Sequence, residues 1–146
     1  LDCVLSACLQ TFFDNPVSAN LLTLASAARL YDRLFDLWLA LCEARRPDVL
    51  EVRYEALVSD PAAVGREVLA FLDLPWEAAV ADPARAAAAR AFIDTVSYDQ
   101  VVRPVHTGAV DRWQRYRDRL APVAGILAPW VRRFGYSAEG LPPASP

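Results

Sequence analysis

The side chains best suited to chemistry are concentrated between residues 97 and 113, in the stretch SYDQVVRPVHTGAVDRW. This stretch contains Ser97, Arg103, His106 and Arg112. A serine hydroxyl and an arginine guanidinium both donate hydrogen bonds to oxyanions, and an imidazole titrates near neutral pH. The residue types therefore fit a site for an anionic group, but they fit equally well a polar connector between two helices.

Each of these candidates also has a plain structural interpretation. A serine in a loop often caps a local turn. Arg112 lies close in sequence to other arginines, so it can also be a solvent-exposed surface residue. Arg103 can pair with a neighbouring aspartate, so we leave it out of the predicted site. His106 is the only histidine of the chain and has no evident orienting partner, which favours a structural role over that of a general base.

The charge distribution narrows the class of ligand. Residues 103–119 carry five arginines against Asp111 and Asp118, a local balance of +3, whereas the whole chain has a net charge of −3. Proteins that bind nucleic acid usually carry a broad basic excess that neutralises phosphates. The sequence therefore predicts a local site for a small anion and no nucleic-acid partner.

Cysteine usage and hydropathy limit the metal chemistry and the compartment. Cys3, Cys8 and Cys42 form no CxxC pair and are odd in number, so the sequence predicts neither a zinc site nor a disulfide framework. Free thiols are typical of a reducing compartment, and we expect a cytoplasmic protein. No run of about 18 uncharged apolar residues occurs, so no membrane partner is expected.

Apolar spacing of three and four residues predicts helices over most of the chain. A helix is expected over 1–13, and a second begins after Thr23 as its N-cap and continues to Cys42. The aspartate-proline pairs at 60–61 and 82–83 each place an N-cap acceptor before a proline at the first helical position, and they predict helices over about 61–72 and 84–92. Further helical segments are expected from Thr107 through Tyr116 and, punctuated by Pro122 and Pro129, up to Phe134.

One β-prone run, residues 49–54, predicts a single strand that ends at Tyr54. A strand needs partners for its backbone hydrogen-bonding groups. The chain also begins at Leu1 within apolar periodicity, without an initiator methionine. We therefore expect a mainly α chain with one or a few short strands, whose partner strands lie upstream, with residues 1–136 in the domain and 137–146 as a flexible tail.

Several residues taken together resemble a known family. Ser97, Asp99-Gln100, Arg103-Pro104 and Arg112-Trp113, with Ser6 and Tyr54, resemble the C-terminal half of a sulfotransferase. The branch is the one that includes tyrosylprotein sulfotransferases and bacterial sulfotransferases linked to tetratricopeptide repeats. The resemblance implies the C-terminal part of an α/β, P-loop-like domain that transfers a sulfuryl group from 3′-phosphoadenosine 5′-phosphosulfate (PAPS) to a hydroxyl or amine, without a metal.

The resemblance also implies roles for individual residues. Ser97 matches a catalytic serine near the transferring sulfate, and Arg112 matches a basic residue that reaches a donor phosphate. Ser6 matches a serine that holds the 3′-phosphate together with an arginine that would precede Leu1. Tyr54 matches a tyrosine beside the adenine, at the end of a strand.

Other parts of such an enzyme are not recognisable in the sequence, namely the Gly-rich loop for the 5′-phosphosulfate and the acceptor's general base. We therefore expect the chain to be inactive without a missing N-terminal half, its main partner, which in the bacterial branch carries tetratricopeptide repeats. A tyrosine peptide, a carbohydrate and a small molecule all stay open as acceptors. The rival hypothesis is a helical interaction module without enzyme activity, in which residues 97–113 are a structural connector.

Overall fold

The computed structural model describes residues 1–10, 15–82 and 105–141. These residues form six α-helices: α1 (Asp2–Leu9), α2 (Leu24–Arg45), α3 (Tyr54–Ser59), α4 (Pro61–Phe71), α5 (Arg117–Leu120) and α6 (Ala124–Arg133). Short 3-10 helices at Ser18–Leu21, Ala78–Ala81, Arg112–Tyr116 and Ala121–Val123 complete the described elements. The helix predicted over 84–92 lies outside the described residues.

Two helix starts confirm the predicted capping residues. The Thr23 hydroxyl accepts a hydrogen bond from the Ser26 amide at 3.1 Å and begins α2. The Asp60 carboxylate accepts one from the Ala63 amide at 2.9 Å, directly before Pro61 as the first residue of α4. In both cases the side chain satisfies a backbone N–H that has no acceptor within its own helix.

The predicted strand over residues 49–54 is wrong. Residues 46–53 form no regular element, Tyr54 begins α3, and the described residues contain no strand. The physical reason is that a β-prone run becomes a strand only when another strand accepts its ladder of hydrogen bonds, and the described part of the chain offers none. The described ranges are therefore mainly helical, as predicted, and they lack the expected strand.

The helical segment predicted from Thr107 through Tyr116 is also shorter than expected. The Thr107 carbonyl accepts a hydrogen bond from the Val110 amide at 2.9 Å, which closes a turn, and the helix starts only at Arg112. Asp111, immediately before it, has a φ of 55°, in the left-handed region. A residue in that region interrupts a right-handed helix, so the turn and the helix are separate.

The chain divides into two compact units. The first comprises residues 1–47 and 111–146, and its core packs α1 against α2 and α2 against α6. The buried apolar side chains of this core are Val4, Leu5, Ala27, Ala28, Trp113, Leu120, Val123 and Leu127. The core thus joins the beginning of the chain to its last third, which are distant in sequence.

The second unit comprises residues 48–110. Its described part is built from α3, α4 and the 3-10 helix Ala78–Ala81, which packs against α4. Gly65 lies buried at this contact, and a Cβ there would come within 2.8 Å of the Val80 Cγ1 atom. Nearby, the Arg66 guanidinium lies 4.5 Å from the centroid of the Trp76 ring, which favours a cation–π contact.

Candidate functional site

Arg112 carries the clearest unmet hydrogen-bonding group of the described residues. It is the first residue of the helix Arg112–Tyr116, and its side chain is half-buried. Its Nε atom is buried and has no hydrogen-bond partner within the described ranges. A buried donor without an acceptor costs free energy, and a guanidinium pairs best with a carboxylate or phosphate. The arrangement is suited to an anionic ligand that supplies the acceptor.

The helix that carries Arg112 is held by the first helix of the chain. The Trp113 amide donates a hydrogen bond to the Asp2 Oδ1 atom at 2.7 Å, a contact between residues 111 positions apart. The Asp111 side chain, which occupies the usual capping position, makes no cap hydrogen bond. Asp2 therefore satisfies an amide that a local capping residue would normally satisfy.

The environment of Asp2 affects its protonation. Burial raises the pKa of Asp2 above its usual value, and the hydrogen bond from the Trp113 amide lowers it again only in part. The negative charge of Asp111 also raises the pKa of Asp2, whereas the N-terminal positive charge and a hydrogen bond from the Asp111 backbone lower it. The carboxylate is thus kept at this place at some electrostatic cost.

Ser6 lies on α1 and is exposed. It follows Asp2 by four residues, so the two side chains share one face of the helix. This is the face that reaches the helix Arg112–Tyr116 through Asp2. The fold therefore brings Ser6 and Arg112, two of the four predicted site residues, to neighbouring elements, while their roles toward a ligand stay predictions.

Tyr54 and Ser97 are the other two predicted site residues. Tyr54 is exposed and begins α3 in the second unit, rather than ending a strand. Ser97 lies outside the described residues, as does Arg103. The predicted adenine contact of Tyr54 and the predicted sulfate contact of Ser97 therefore stay predictions.

His106 takes part in a local turn. Its Nδ1 atom accepts a hydrogen bond from the Gly108 amide at 3.1 Å, which assigns the proton of the neutral ring to Nε2. Both residues are exposed. The contact gives the histidine a structural role, in agreement with the interpretation favoured by the sequence.

A shallow depression of about 230 Å³ lies in the second unit. It is lined by Glu51, Val52, Arg53, Ala56, Val64 and Glu67. Two of its three charged side chains are carboxylates, which disfavour a phosphate or sulfate ligand through like-charge repulsion. The depression is also smaller than the usual 300 Å³ or so of a ligand pocket, so it is a poor candidate for the anion site.

Within the described ranges, no three histidine, cysteine, aspartate or glutamate side chains gather as metal ligands do. The prediction that the protein uses no metal therefore stays a prediction. No helix among the described residues combines the length and the apolar character needed to cross a membrane.

Asp2 is the residue of this site that the sequence did not single out. In the sequence it is an acidic residue in the first turn of a helix, where a carboxylate is common because it faces the positive end of the helix dipole. Its actual acceptor role depends on a contact with a residue 111 positions away. No signal in the sequence marked this role, because Asp111 stands directly before Arg112 and only the structure shows that its side chain makes no cap hydrogen bond.

Comparison with known proteins covers part of the chain. Protein-tyrosine sulfotransferase A of Caenorhabditis elegans is 36% identical over 98 residues, which cover 64% of this chain and 26% of that protein. Protein-tyrosine sulfotransferase 1 of Danio rerio is 29% identical over 118 residues, which cover 77% of this chain and 33% of that protein. An uncharacterized protein of Aquifex aeolicus is 34% identical over 79 residues, which cover 54% of this chain and 10% of that protein. The chain thus spans between a tenth and a third of the length of these relatives.

No solved structure matches the chain. A family model described as "Sulfotransferase family" matches residues 1–78, which include Ser6 and Tyr54, whereas Ser97 and Arg112 lie beyond the matched range. This match covers more than half of the 146 residues and confirms the resemblance found in the sequence. The chain belongs to the sulfotransferase family.

Proposed function

We propose that the protein transfers a sulfuryl group from PAPS to a hydroxyl or amine, and that this chain binds the nucleotide part of the donor. The observation that supports this proposal most directly is the buried Nε atom of Arg112, which has no acceptor among the described residues. A phosphate oxygen is the kind of acceptor that satisfies such a group. Membership of the sulfotransferase family supports PAPS as the phosphate-bearing ligand.

When bound, PAPS supplies an activated sulfuryl group. In the proposal, Arg112 binds a phosphate of the donor, and the exposed hydroxyl of Ser6, on the face of α1 shared with Asp2, donates to the 3′-phosphate. Tyr54 contacts the adenine, and Ser97 donates a hydrogen bond near the transferring sulfate. Fixed donors of this kind stabilise charge that develops during transfer, as they do in phosphoryl transfer.

The acceptor and the remaining catalytic groups are part of the proposal as well. We expect the phosphosulfate loop and the acceptor's general base to come from a region upstream of Leu1, which would make this chain inactive without it. Two of the three relatives named above are protein-tyrosine sulfotransferases, yet tyrosine peptides, carbohydrates and small molecules all stay open as acceptors. The free thiols of Cys3, Cys8 and Cys42 support a reducing compartment such as the cytoplasm.

Calorimetric binding of adenosine 3′,5′-bisphosphate to the full-length protein tests the proposal. We expect the wild type to bind, and Arg112→Ala to weaken binding about tenfold or more, because a hydrogen bond to a charged group contributes roughly 1.5–3 kcal/mol. Arg115→Ala is the matched control. Arg115 lies on the same short helix and is exposed, so its removal takes away the same charge and is expected to change the affinity by less than about threefold.

The same binding measurement distinguishes the sulfotransferase proposal from the rival hypothesis of a helical connector. If the intact protein does not bind the bisphosphate, the sulfotransferase proposal is wrong. If it binds but both Arg112→Ala and Ser6→Ala leave the affinity unchanged, the nucleotide site lies elsewhere and residues 97–113 act as a connector. Equal losses from Arg112→Ala and Arg115→Ala would indicate a general effect of positive charge rather than a specific contact.

A further inference from the structure

We propose that Asp2 is a positioning residue for Arg112, acting through the backbone of the helix that carries it. This inference rests on the proposed function, since it concerns how the chain prepares Arg112 for an anionic ligand. The contact that carries it is the 2.7 Å hydrogen bond from the Trp113 amide to the Asp2 carboxylate.

The helix Arg112–Tyr116 needs such a contact because its own start is poorly capped. The first amides of a helix have no acceptor within it, and a side chain at the preceding residue usually provides one. Here the preceding residue, Asp111, has a φ of 55° and makes no side-chain cap hydrogen bond. Asp2 supplies the missing acceptor from α1, so the start of the helix is fixed by a tertiary contact.

Fixing the Trp113 amide also fixes the residue before it. The peptide group that joins Arg112 to Trp113 is planar, so the direction of its N–H determines the orientation of the Arg112 carbonyl and constrains the Arg112 Cα. The Trp113 side chain, only 8% exposed, provides a second anchor in the core of the first unit. The Arg112 side chain therefore leaves the backbone from a place that is held on both sides of one peptide bond.

A role through the backbone differs from a simple attraction between the charges of Asp2 and Arg112. The structure shows the carboxylate bonded to an amide, and the neighbouring Asp111 adds a second negative charge near Asp2. If the hydrogen bond is what matters, a neutral acceptor of the same shape should replace the carboxylate. Asp2→Asn keeps an oxygen acceptor and loses the charge, while Asp2→Ala loses both.

A double-mutant cycle tests the inference, with adenosine 3′,5′-bisphosphate as the probe and the full-length protein as the sample. We expect Asp2→Ala to weaken binding by up to about tenfold, because a displaced Arg112 loses its own hydrogen bond to the ligand, and Asp2→Asn to stay within about twofold of the wild type. In an Arg112→Ala background, Asp2→Ala should weaken binding no further. Asp36→Ala, which removes a carboxylate from an exposed position of α2, is the matched control and should bind as the wild type does.

The possible outcomes are distinct. No binding by the wild type would overturn the proposed function and the positioning role with it. Wild-type binding that Arg112→Ala weakens but Asp2→Ala does not would overturn the positioning role alone. An equal loss from Asp2→Ala in both backgrounds would show a general structural effect, and a loss from Asp2→Asn as large as that from Asp2→Ala would show that charge is what matters. Either result would overturn the inference.

Should Asp2→Ala fail to fold, Asp2→Glu provides a second test, because it keeps the charge and moves the carboxylate by one methylene. We expect it to weaken binding by about threefold or more, since hydrogen-bond energy falls steeply away from the ideal geometry. Hydrogen exchange at the Trp113 amide is a readout that needs no ligand. It should be slow in the wild type and faster in Asp2→Glu, and equal exchange rates with unchanged affinity would overturn the inference.

Discussion

Two side-chain donors of the first unit, on Trp130 and Arg112, differ in whether the described residues provide a hydrogen-bond acceptor. The indole Nε1 of Trp130 donates a hydrogen bond to the Asp32 Oδ1 atom at 2.8 Å, which joins α6 to α2. The Nε atom of Arg112 has no such acceptor among the described residues. A donor that serves the fold is expected to find its acceptor within the fold, as Trp130 does. The unmet donor of Arg112 therefore supports the proposal that a phosphate of the ligand supplies its acceptor.

The Trp130 contact gives a prediction about stability at the scale of one residue. Asp32→Ala should lower the free energy of unfolding by about 1–3 kcal/mol, because it leaves a nearly buried indole N–H without an acceptor. Asp32→Asn keeps an oxygen acceptor and is expected to lose less than half as much. Urea unfolding, followed by tryptophan fluorescence, measures both. Equal stability of the alanine variant and the wild type would contradict the structural role of this hydrogen bond.

The rings around Trp130 explain why this contact is placed where it is. Phe35 lies between three other aromatic rings, with centroid distances of 4.5 Å to Tyr31, 5.6 Å to Trp130 and 5.0 Å to Phe134. Distances of this size are typical of favourable aromatic pairs. The aromatic cluster and the Asp32 hydrogen bond together hold α6 on α2, which the sequence could suggest only as apolar faces.

At the scale of elements, features set by neighbouring residues could be predicted and distant pairings could not. The caps at Thr23 and Asp60 depend on an acceptor and an amide three residues apart, so the sequence alone identified them. A strand over 49–54 would have required a partner strand. The start of the helix at Arg112 is fixed by a hydrogen bond from the Trp113 amide to Asp2, which is distant in sequence. Neither dependence leaves a local pattern.

In α2, too, the sequence predicts the helix but does not predict which of its apolar residues are buried. Its apolar spacing predicted one continuous face over five turns, and Ala27 and Ala28 at its beginning are buried in the core. Farther along the helix, Leu34, Trp38 and Leu41 are exposed. A periodic pattern indicates which residues share a face, but the number of residues that are covered depends on the elements packed against that face.

The cap of α2 gives a prediction at the scale of an element. Thr23→Ala should lower the free energy of unfolding by about 1 kcal/mol, because the Ser26 amide then loses its acceptor. The variant also removes the 2.7 Å contact between the Thr23 and Ser26 hydroxyls. Thr23→Ser keeps the hydroxyl and is the control, with little change expected. Chemical denaturation of the three proteins measures the difference, and a Thr23→Ser loss equal to that of Thr23→Ala would argue against the cap.

At the scale of the whole molecule, the residues named in the two proposals do not all belong to one compact unit. Ser6, Arg112 and the positioning residue Asp2 belong to the first unit, whose two segments are joined by the core, whereas Tyr54 belongs to the second. The packing of the first unit therefore keeps the elements that carry Ser6 and Arg112 in contact. Any condition that loosens its packing should weaken both the fold and the proposed phosphate contacts.

Alkaline pH is such a condition, because it acts on a tyrosine inside the first unit. Burial, with smaller contributions from the charges of Cys3 and Tyr136, raises the pKa of Tyr31 to about 12, compared with an ordinary value of 10.0. These neighbours come from α1 and from the segment after α6, so the shift reflects the assembled unit. The folded protein thus keeps a proton on Tyr31 in a pH range where the unfolded chain has already released it.

The sign of the pH dependence follows from this difference in proton binding. Below about pH 10 both states hold the proton, and the stability is at its full value. As the pH rises toward about 12, the unfolded chain releases a proton that the folded protein keeps, so the free energy of unfolding falls. Tyr31→Phe removes this group, so between these pH values the variant should lose less stability than the wild type does. Urea unfolding at pH 9 and pH 11 measures the difference. Tyr116→Phe, at an exposed tyrosine, is the control. Equal losses of stability in the wild type and in Tyr31→Phe would show that Tyr31 does not couple the packing of this unit to pH.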